Sequence, residues 1–366
     1  MLQPTPYCNL DCQYCYLPFR NDRTRMDDAT LRDIGENILR SQYVDDQPPG
    51  VVWHGGEPMA LPPAWYENAF SVLEDASGLK LQHAFQTNAV GVTTGWIDLW
   101  RRWGVKLGVS VDGPAQYHDA NRKTRSGKGS HGLTMAGIAR LQDAGLPFHT
   151  ISVVTGASVR DPDGMFDFFI ANGLTDLAFN VEEEEGGHSQ SSLAGDQMAT
   201  AYGNFLARFQ DRMASARRPI RLREVEGVRH LIRRGAATAI DNMQTTPLQI
   251  LSVAADGAMS TFSPEFLGVP APDFANFAFG NVKDGGPDLI LDHPAFQRLH
   301  MDIAVGVDAC RQSCGYFDVC GGGAPANKYF ELGSCAGTET QYCRLTVQTT
   351  LETVLETMEA RQHGAA

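Results

Sequence analysis

Eight cysteines carry the most conspicuous chemistry of this sequence, and they stand at its two ends. Cys8, Cys12 and Cys15 fall within eight residues near the N-terminus, spaced C-x3-C-x2-C. Cys310, Cys314, Cys320, Cys335 and Cys343 fall within 34 residues near the C-terminus, and none lies between the two groups. A disulfide framework belongs to small secreted chains, whereas this one has 366 residues. Clustered thiols in a chain of this size read as metal or iron–sulfur ligands. Three thiolates on one loop hold three irons of a [4Fe–4S] cluster and leave the fourth open to a small molecule, whereas four cysteines close a cluster. Zinc, which takes four ligands in paired knuckles, is the rival reading for either group.

Other residues able to do chemistry stand where short β-like runs end. Gly55-Gly56-Glu57-Pro58 follows Val51–Trp53, and Thr87 and Asn88 follow Gln82–Gln86. Ser110 and Asp112 close Leu107–Val111; by themselves they read as an ordinary turn. Arg122 and Arg125 lie in the basic stretch Asn121–Lys128, and Glu182 and Glu183 follow Leu177–Val181. Alternation at a strand end sends these two acids to opposite sides, so one of them is expected to face a pocket. Asp241 and Glu265 are further acids available as a base.

The elements that must position these residues alternate. The expected strands are Leu2–Thr5, Val51–Trp53, Gln82–Gln86, Leu107–Val111, Phe148–Val154 and Leu177–Val181. Helix-period segments lie between them, such as Leu31 to Leu39 after Asp27 and Asp28, and Leu133 to Ala144 before Gly145. Six β-then-α units predict a parallel sheet with helices outside, either an open doubly wound sheet or a partial barrel. In both, ligands gather at the C-terminal strand ends. After about residue 240 Gly, Pro and isolated aromatics dominate, which predicts a loop-rich tail held by metal ligation and closed by a helix over Thr346 to Arg361. Residues 1–240 and 241–366 are thus expected to form two domains. With 30 Lys and Arg against 43 Asp and Glu, the net charge of −13 argues against a nucleic-acid partner. No apolar run approaches the roughly 18 residues of a membrane span, and no signal peptide is visible, so the expected compartment is the cytoplasm.

The triplet, with Tyr14 between its last two cysteines and Tyr16 after them, resembles the radical S-adenosylmethionine (SAM) superfamily. The resemblance implies a partial (β/α)6 barrel, a [4Fe–4S] cluster on Cys8, Cys12 and Cys15, and SAM chelated by the open iron and cleaved to a 5′-deoxyadenosyl radical. It further implies that Gly55, Gly56, Glu57 and Pro58 hold the SAM amino group. Gln86-Thr87-Asn88 resembles the QTNG of that superfamily, with Ala89 where Gly is usual. Ser110 is implied as a contact to the SAM ribose or carboxylate, beside Asp112, and Arg122 and Arg125 as partners of the carboxylate.

The run from Cys310 through Cys314-Gly-Tyr-Phe-Asp-Val-Cys320-Gly-Gly-Gly-Ala-Pro-Ala-Asn-Lys328 to Cys343 resembles the SPASM auxiliary-cluster domain of peptide-modifying members. The segment Gln249 to Gly268 has no cysteine where the first auxiliary cluster takes two. One auxiliary [4Fe–4S] cluster is therefore expected, on Cys310, Cys314, Cys320 and Cys343, with Cys335 a small buried hydrophobe. Trp53–Pro58, Phe179–Glu183 with Gly186, and Thr261–Glu265 are most similar to cyclophane-forming maturases that act on glycine-rich repeat precursors. The implied reaction joins an aromatic ring carbon to the Cβ of a nearby residue in a ribosomal precursor peptide, with an external electron donor such as flavodoxin or ferredoxin. It needs a proton acceptor, for which Glu182 is the first choice, with Glu183 and Asp241 behind it. The alternatives are a formylglycine-generating or thioether-forming enzyme, and, outside enzymes, an iron–sulfur electron carrier or zinc-stabilised binding module.

Overall fold

The computed structural model describes residues 1–44, 48–235 and 242–364. The expected domain boundary at 240 and the candidate base Asp241 lie outside the described residues.

A short strand β1 (Leu10–Cys12) carries the thiol loop, and helix α1 (Asp28–Asp33) follows, capped by the Asp27 carboxylate accepting from Thr30 N. The alternating part then runs β2 (Gly50–Trp53), α2 (Pro63–Ser77), β3 (Gln82–Thr87), α3 (Thr94–Trp103) and β4 (Lys106–Ser110). An excursion of α4 (Ala115–Asn121), β5 (Arg122–Thr124) and α5 (His131–Asp143) precedes β6 (Phe148–Val154). There follow α6 (Pro162–Ala171), β7 (Asp176–Val181), α7 (Asp196–Ala214), β8 (Arg221–Leu222) and α8 (Arg223–Arg234). The six-stranded sheet has the order β2-β3-β4-β6-β7-β8, every pair parallel. Strands that follow chain order without reversal wind in one direction. That selects the partial barrel over the doubly wound sheet, whose order turns back at a switch point.

Two strand expectations are corrected. Leu2–Thr5 shrinks to Leu2, which bridges Trp53 on one side and Val253 on the other. Pro4 and Pro6 lack the N–H a ladder needs, so pairing stops there. The sixth strand of the sheet is instead β8, whose two residues are too few to show alternation.

The tail is more helical than expected. Hairpin β9 (Leu251–Val253) and β10 (Met259–Thr261) leads to α9 (Asp288–Asp292), α10 (Pro294–Ser313), α11 (Phe317–Cys320), α12 (Pro325–Leu332), α13 (Gln341–Cys343) and α14 (Thr350–Gly364). The prolines that suggested loops are helix starts: Pro294 and Pro325 occupy first-turn positions, where a missing N–H costs nothing. Phe296, Leu299 and Ile303 give α10 a buried face. The tail packs back on the barrel, α14 against α7 and α8.

Aromatics fill the space between sheet and helices. Trp53, fully buried on β2, meets Trp65 and Tyr66 edge-on at 5.9 and 5.3 Å between ring centroids. Phe179 on β7 packs against Phe205 and Phe209 of α7 at 5.3 and 5.0 Å. Each such side chain contributes about 1.5–3 kcal/mol on burial, which fixes the strand ends that carry the polar residues.

Candidate active site

A cavity of 400 Å³ lies at the C-terminal ends of the strands, and Cys8, Cys12 and Cys15 all line it. The loop that bears them is held by its backbone. Strand β1 pairs with β5, with Cys12 opposite Arg122. The Cys8 amide donates to the Arg20 carbonyl at 3.2 Å. Arg125 donates to the carbonyls of Cys8, at 2.9 Å, and of Arg20, and Arg20 donates to the Cys12 carbonyl at 3.0 Å. Arg125 is therefore committed to the thiol loop and does not line the cavity.

All eight cysteines are free thiols. Burial, followed by the charge of Glu57, pushes the Cys8 thiol far up, and burial pushes Cys12 to about 11. Iron would supply the positive charge that makes thiolates stable there. The Cys8 sulfur already accepts from Leu10 N at 3.4 Å, a donor suited to a bound thiolate. Three free thiols on one cavity wall, with space beyond them, fit a cluster with one open iron.

The Gly-Gly-Glu-Pro turn is a joint between three segments. A Cβ at Gly56 (φ +67°) would collide with the carbonyl oxygens of Thr5 and Tyr7, so the glycine makes room for the chain's own N-terminal segment. Glu57 is 2% exposed. Its Oε1 accepts from Thr87 Oγ1 at 2.6 Å and Met59 N at 3.0 Å, and its Oε2 from Asn88 N at 2.9 Å. Glu57 thus ties the β2 end to the β3 end and keeps one lone pair of Oε2 for a further donor. Pro58 starts the short helical turn that follows.

On the next strand ends, Ser110 accepts from Gln86 Nε2 at 2.9 Å. Asp112 is a hub: Oδ1 accepts from Val153 N at 3.0 Å, and Oδ2 from Arg122 Nε at 2.9 Å and from the Tyr14 hydroxyl. This aims the buried Arg122 guanidinium along the cavity wall, with its centre 5.4 Å from the Tyr14 ring. Asp112 acts on the cavity through Arg122.

The acids separate into two kinds. Glu182 and Glu183 both line the cavity, contrary to the expected alternation, because β7 has ended at Val181. Glu182 is spent on its own loop, accepting from His188 Nε2 at 3.1 Å, Ser192 N at 3.0 Å and the Ser192 hydroxyl. It is an anchor, and the first choice of base moves away from it. Glu183 instead meets Glu185 and Glu265. Asn327 Nδ2 of α12 donates to Glu183 Oε2 at 2.7 Å and to Glu185 Oε1 at 3.3 Å, and Ser263 donates to Glu265. Burial raises all three carboxyls, Glu183 to about 7, and Glu185 is pushed well above the carboxylate range by burial and then by the charge of Glu183. Sequence reasoning missed Glu185 and Asn327. The acid run Glu182–Glu185 was the one signal for the first, and nothing local signalled the second.

In the tail, Cys310 and Cys314 end α10, Cys320 ends α11 and Cys343 ends α13. Burial raises Cys320 and Cys343, and each also feels Cys314. The Cys314 sulfur accepts from Tyr316 N at 3.4 Å, and Cys343 from Gln348 at 3.7 Å. These four thiols fit a closed cluster. Cys335 faces elsewhere, donating to the Pro325 carbonyl at 3.5 Å, and its electrostatic neighbours are Asp302 and Lys328.

Comparison with known proteins gives this geometry a family. The sequence pattern of the radical SAM superfamily matches residues 2–169. An uncharacterized protein of Synechocystis sp. is 38% identical over 365 residues, covering 98% of this chain and 91% of that one. The serine-type anaerobic sulfatase-maturating enzyme of Bacteroides thetaiotaomicron is 30% identical over 227 residues, so the alignment spans 56% of this chain and 54% of that relative. In fold, native anSMEcpe with bound AdoMet superposes with a TM-score of 0.79 at 19% identity, over 100% of this chain and 97% of that one. Streptococcus suis SuiB bound to precursor peptide SuiA gives 0.64 at 16% identity, over 93% and 74%. Among the described residues no helix is long and apolar enough to cross a membrane. Residues 2–169, which bear the thiol triplet, thus form a radical SAM domain, a type whose cofactors are a [4Fe–4S] cluster and S-adenosylmethionine, and the chain as a whole has the fold of that AdoMet-bound structure.

Proposed function

We propose that this enzyme joins an aromatic ring carbon to the Cβ of a nearby residue in a ribosomally made precursor peptide, forming a cyclophane. The observation that carries the reading is one cavity lined by both the thiol triplet and the carboxylates of the buried Glu185 and the half-buried Glu183 and Glu265. The reaction removes two hydrogens in all: a hydrogen atom from Cβ, then an electron and a proton from the ring after the carbon–carbon bond forms. When bound through Cys8, Cys12 and Cys15, the cluster and SAM supply the hydrogen-abstracting radical. Arg122, on the cavity wall with Ser110, would hold the SAM carboxylate, and the remaining lone pair of Glu57 would accept from the SAM ammonium.

The ring proton passes to a carboxylate of the Glu183 group. A base whose proton affinity is raised to about 7 is matched to neutral pH better than an ordinary carboxylate. Cys310, Cys314, Cys320 and Cys343 hold the auxiliary cluster, whose chemistry is to take up one electron, and a flavodoxin- or ferredoxin-like protein returns electrons to the triplet. In this reading residues 1–240 cleave SAM and residues 241–366 carry the auxiliary cluster. A peptide substrate is supported by the peptide-bound neighbours, SuiB with SuiA and anSMEcpe with the Cp18Cys peptide.

The relationship to sulfatase-maturating enzymes favours a second reading, oxidation of a Ser or Cys side chain to formylglycine. That relationship spans about half the chain for the serine-type enzyme of Bacteroides thetaiotaomicron, at 30% identity, and 86% of it for the cysteine-type enzyme of Clostridium perfringens, at 22% identity. Anaerobic turnover with SAM, reductant and the precursor peptide separates the two readings. Serine oxidation and crosslinking both remove two hydrogens, so mass alone does not decide. The cyclophane reading predicts a product inert to aldehyde reagents, with fragmentation suppressed between the joined residues. A product captured by hydrazide establishes the second reading instead.

A further inference from the structure

The tail run that begins at Cys310 ends on a lysine to which nothing above gives a part. Lys328, on α12, is 3% exposed. Its ammonium donates to the Gly306 carbonyl at 3.2 Å and to the Cys310 sulfur at 3.4 Å. Among the described residues it makes no ion pair with Asp or Glu. Its place is shaped by glycines. A Cβ on Gly306 of α10 would collide with the Cys335 carbonyl oxygen and stand 3.1 Å from Lys328 Nζ, and one on Gly323 would lie 3.6 Å from Cε. An ammonium withdrawn from water needs an anion, and a carbonyl with a neutral thiol does not offset its desolvation. An iron-bound thiolate does.

We propose that Lys328 sets the reduction potential of the auxiliary cluster through a charge-assisted hydrogen bond to the Cys310 sulfur. The inference rests on the reading of Cys310, Cys314, Cys320 and Cys343 as the cluster ligands. A cluster held by four thiolates is negative, and reduction adds one more negative charge. A fixed positive charge at a ligand sulfur favours the reduced form and raises the potential, the more so where water is excluded. The direction suits the proposed reaction, since a higher potential makes the cluster a better acceptor for the electron leaving the substrate. Lys328 is a tuning residue: it reaches the cluster's ligand and lies outside the catalytic cavity's lining.

The test uses the full-length chain with Cys8, Cys12 and Cys15 changed to alanine, so that iron binds in the tail alone, in a redox titration followed by electron paramagnetic resonance. Against that parent, Lys328→Met and Lys328→Gln are expected to lower the midpoint. At a fixed solution potential the reduced-to-oxidised ratio falls about tenfold, ~59 mV for one electron. Lys328→Arg, which keeps the charge, stays closer to the parent. An unchanged midpoint in a charge-free variant that holds its iron overturns the inference and leaves the cluster reading standing. A parent that binds no iron overturns both. Nitrogen-15 lysine in the parent gives a readout independent of the variants: electron–nuclear double resonance of the reduced cluster shows coupling to a lysine nitrogen, and its absence overturns the inference.

Discussion

The two thiol groups are built on opposite plans. The N-terminal triplet sits on a loop whose backbone is clamped by Arg20 and Arg125, and its sulfurs face a cavity. The tail quartet sits at the ends of α10, α11 and α13, with the Gly322 and Gly323 amides on Cys320 and the buried Lys328 on Cys310. In the first, the protein spends its polar contacts on the carbonyls of the loop and leaves the sulfur side open. In the second, the Lys328 ammonium donates to the Cys310 sulfur. In the proposed reading ligand number sets open against closed, and the surroundings differ in the same sense: the triplet lines a cavity, and the quartet lies outside that cavity with a buried lysine at one of its sulfurs.

That contrast is broken first by the ligands themselves. Cys12→Ala is expected to abolish 5′-deoxyadenosine formation, measured by chromatography after reconstitution. Cys343→Ala is expected to keep SAM cleavage within a few-fold while crosslinked product falls at least about a hundredfold. Loss of SAM cleavage in Cys343→Ala would erase the division of labour.

The arginines sharpen it. Arg122→Gln is expected to weaken SAM binding about tenfold, in line with the loss of a hydrogen bond to a charged group, and to leave iron content intact. Arg125→Ala is expected to do the reverse, lowering iron retention with less change in SAM affinity for the chain that keeps its cluster. Equal effects of the two on SAM binding would put Arg125 at the ligand after all.

The pH response follows from Glu183. Its ordinary value is 4.5 and burial raises it to about 7 in the folded chain. The folded state therefore keeps a proton that the unfolded chain has lost between those values. The stability this group contributes falls as pH rises from 4.5 to about 7 and is level above. A base must be deprotonated, so crosslinking should rise with pH up to about 7 and then level, while SAM cleavage stays flatter. Glu183→Gln should lose crosslinking and keep SAM cleavage. The same product profile in Glu182→Gln as in Glu183→Gln would return the role to Glu182.

The smallest effect belongs to the eighth thiol. Cys335→Ala is expected to leave iron per chain unchanged and cost about 1 kcal/mol, a small core truncation seen as a modest fall in thermal midpoint. Loss of iron would make Cys335 a ligand.

The barrel was legible because its strands before β8 are four to seven apolar-rich residues bounded by turn signals, as in Phe148–Val154. Strand β8 was not, since two residues carry no period, and neither was the interruption after Leu2, where two prolines removed the donors. In the site, the thiols and the Gly-Gly-Glu-Pro turn could be found from spacing. What each contact does could not. Glu57 spends most of its acceptor capacity on Thr87, Asn88 and Met59, and Arg125 is bound to the carbonyls of Cys8 and Arg20. Those pairings depend on which backbone groups the fold leaves without partners. The grouping of Glu183, Glu185 and Glu265 with Asn327 joins residues up to 144 positions apart and has no local signature.

The central claim, one open cluster and one closed, is tested most directly by adding SAM to the reduced full-length chain and recording electron paramagnetic resonance before and after. The account predicts two cluster signals, of which only the one lost in Cys12→Ala changes on adding SAM. A spectrum that does not respond to SAM, or a response that disappears in Cys343→Ala and survives in Cys12→Ala, would contradict it.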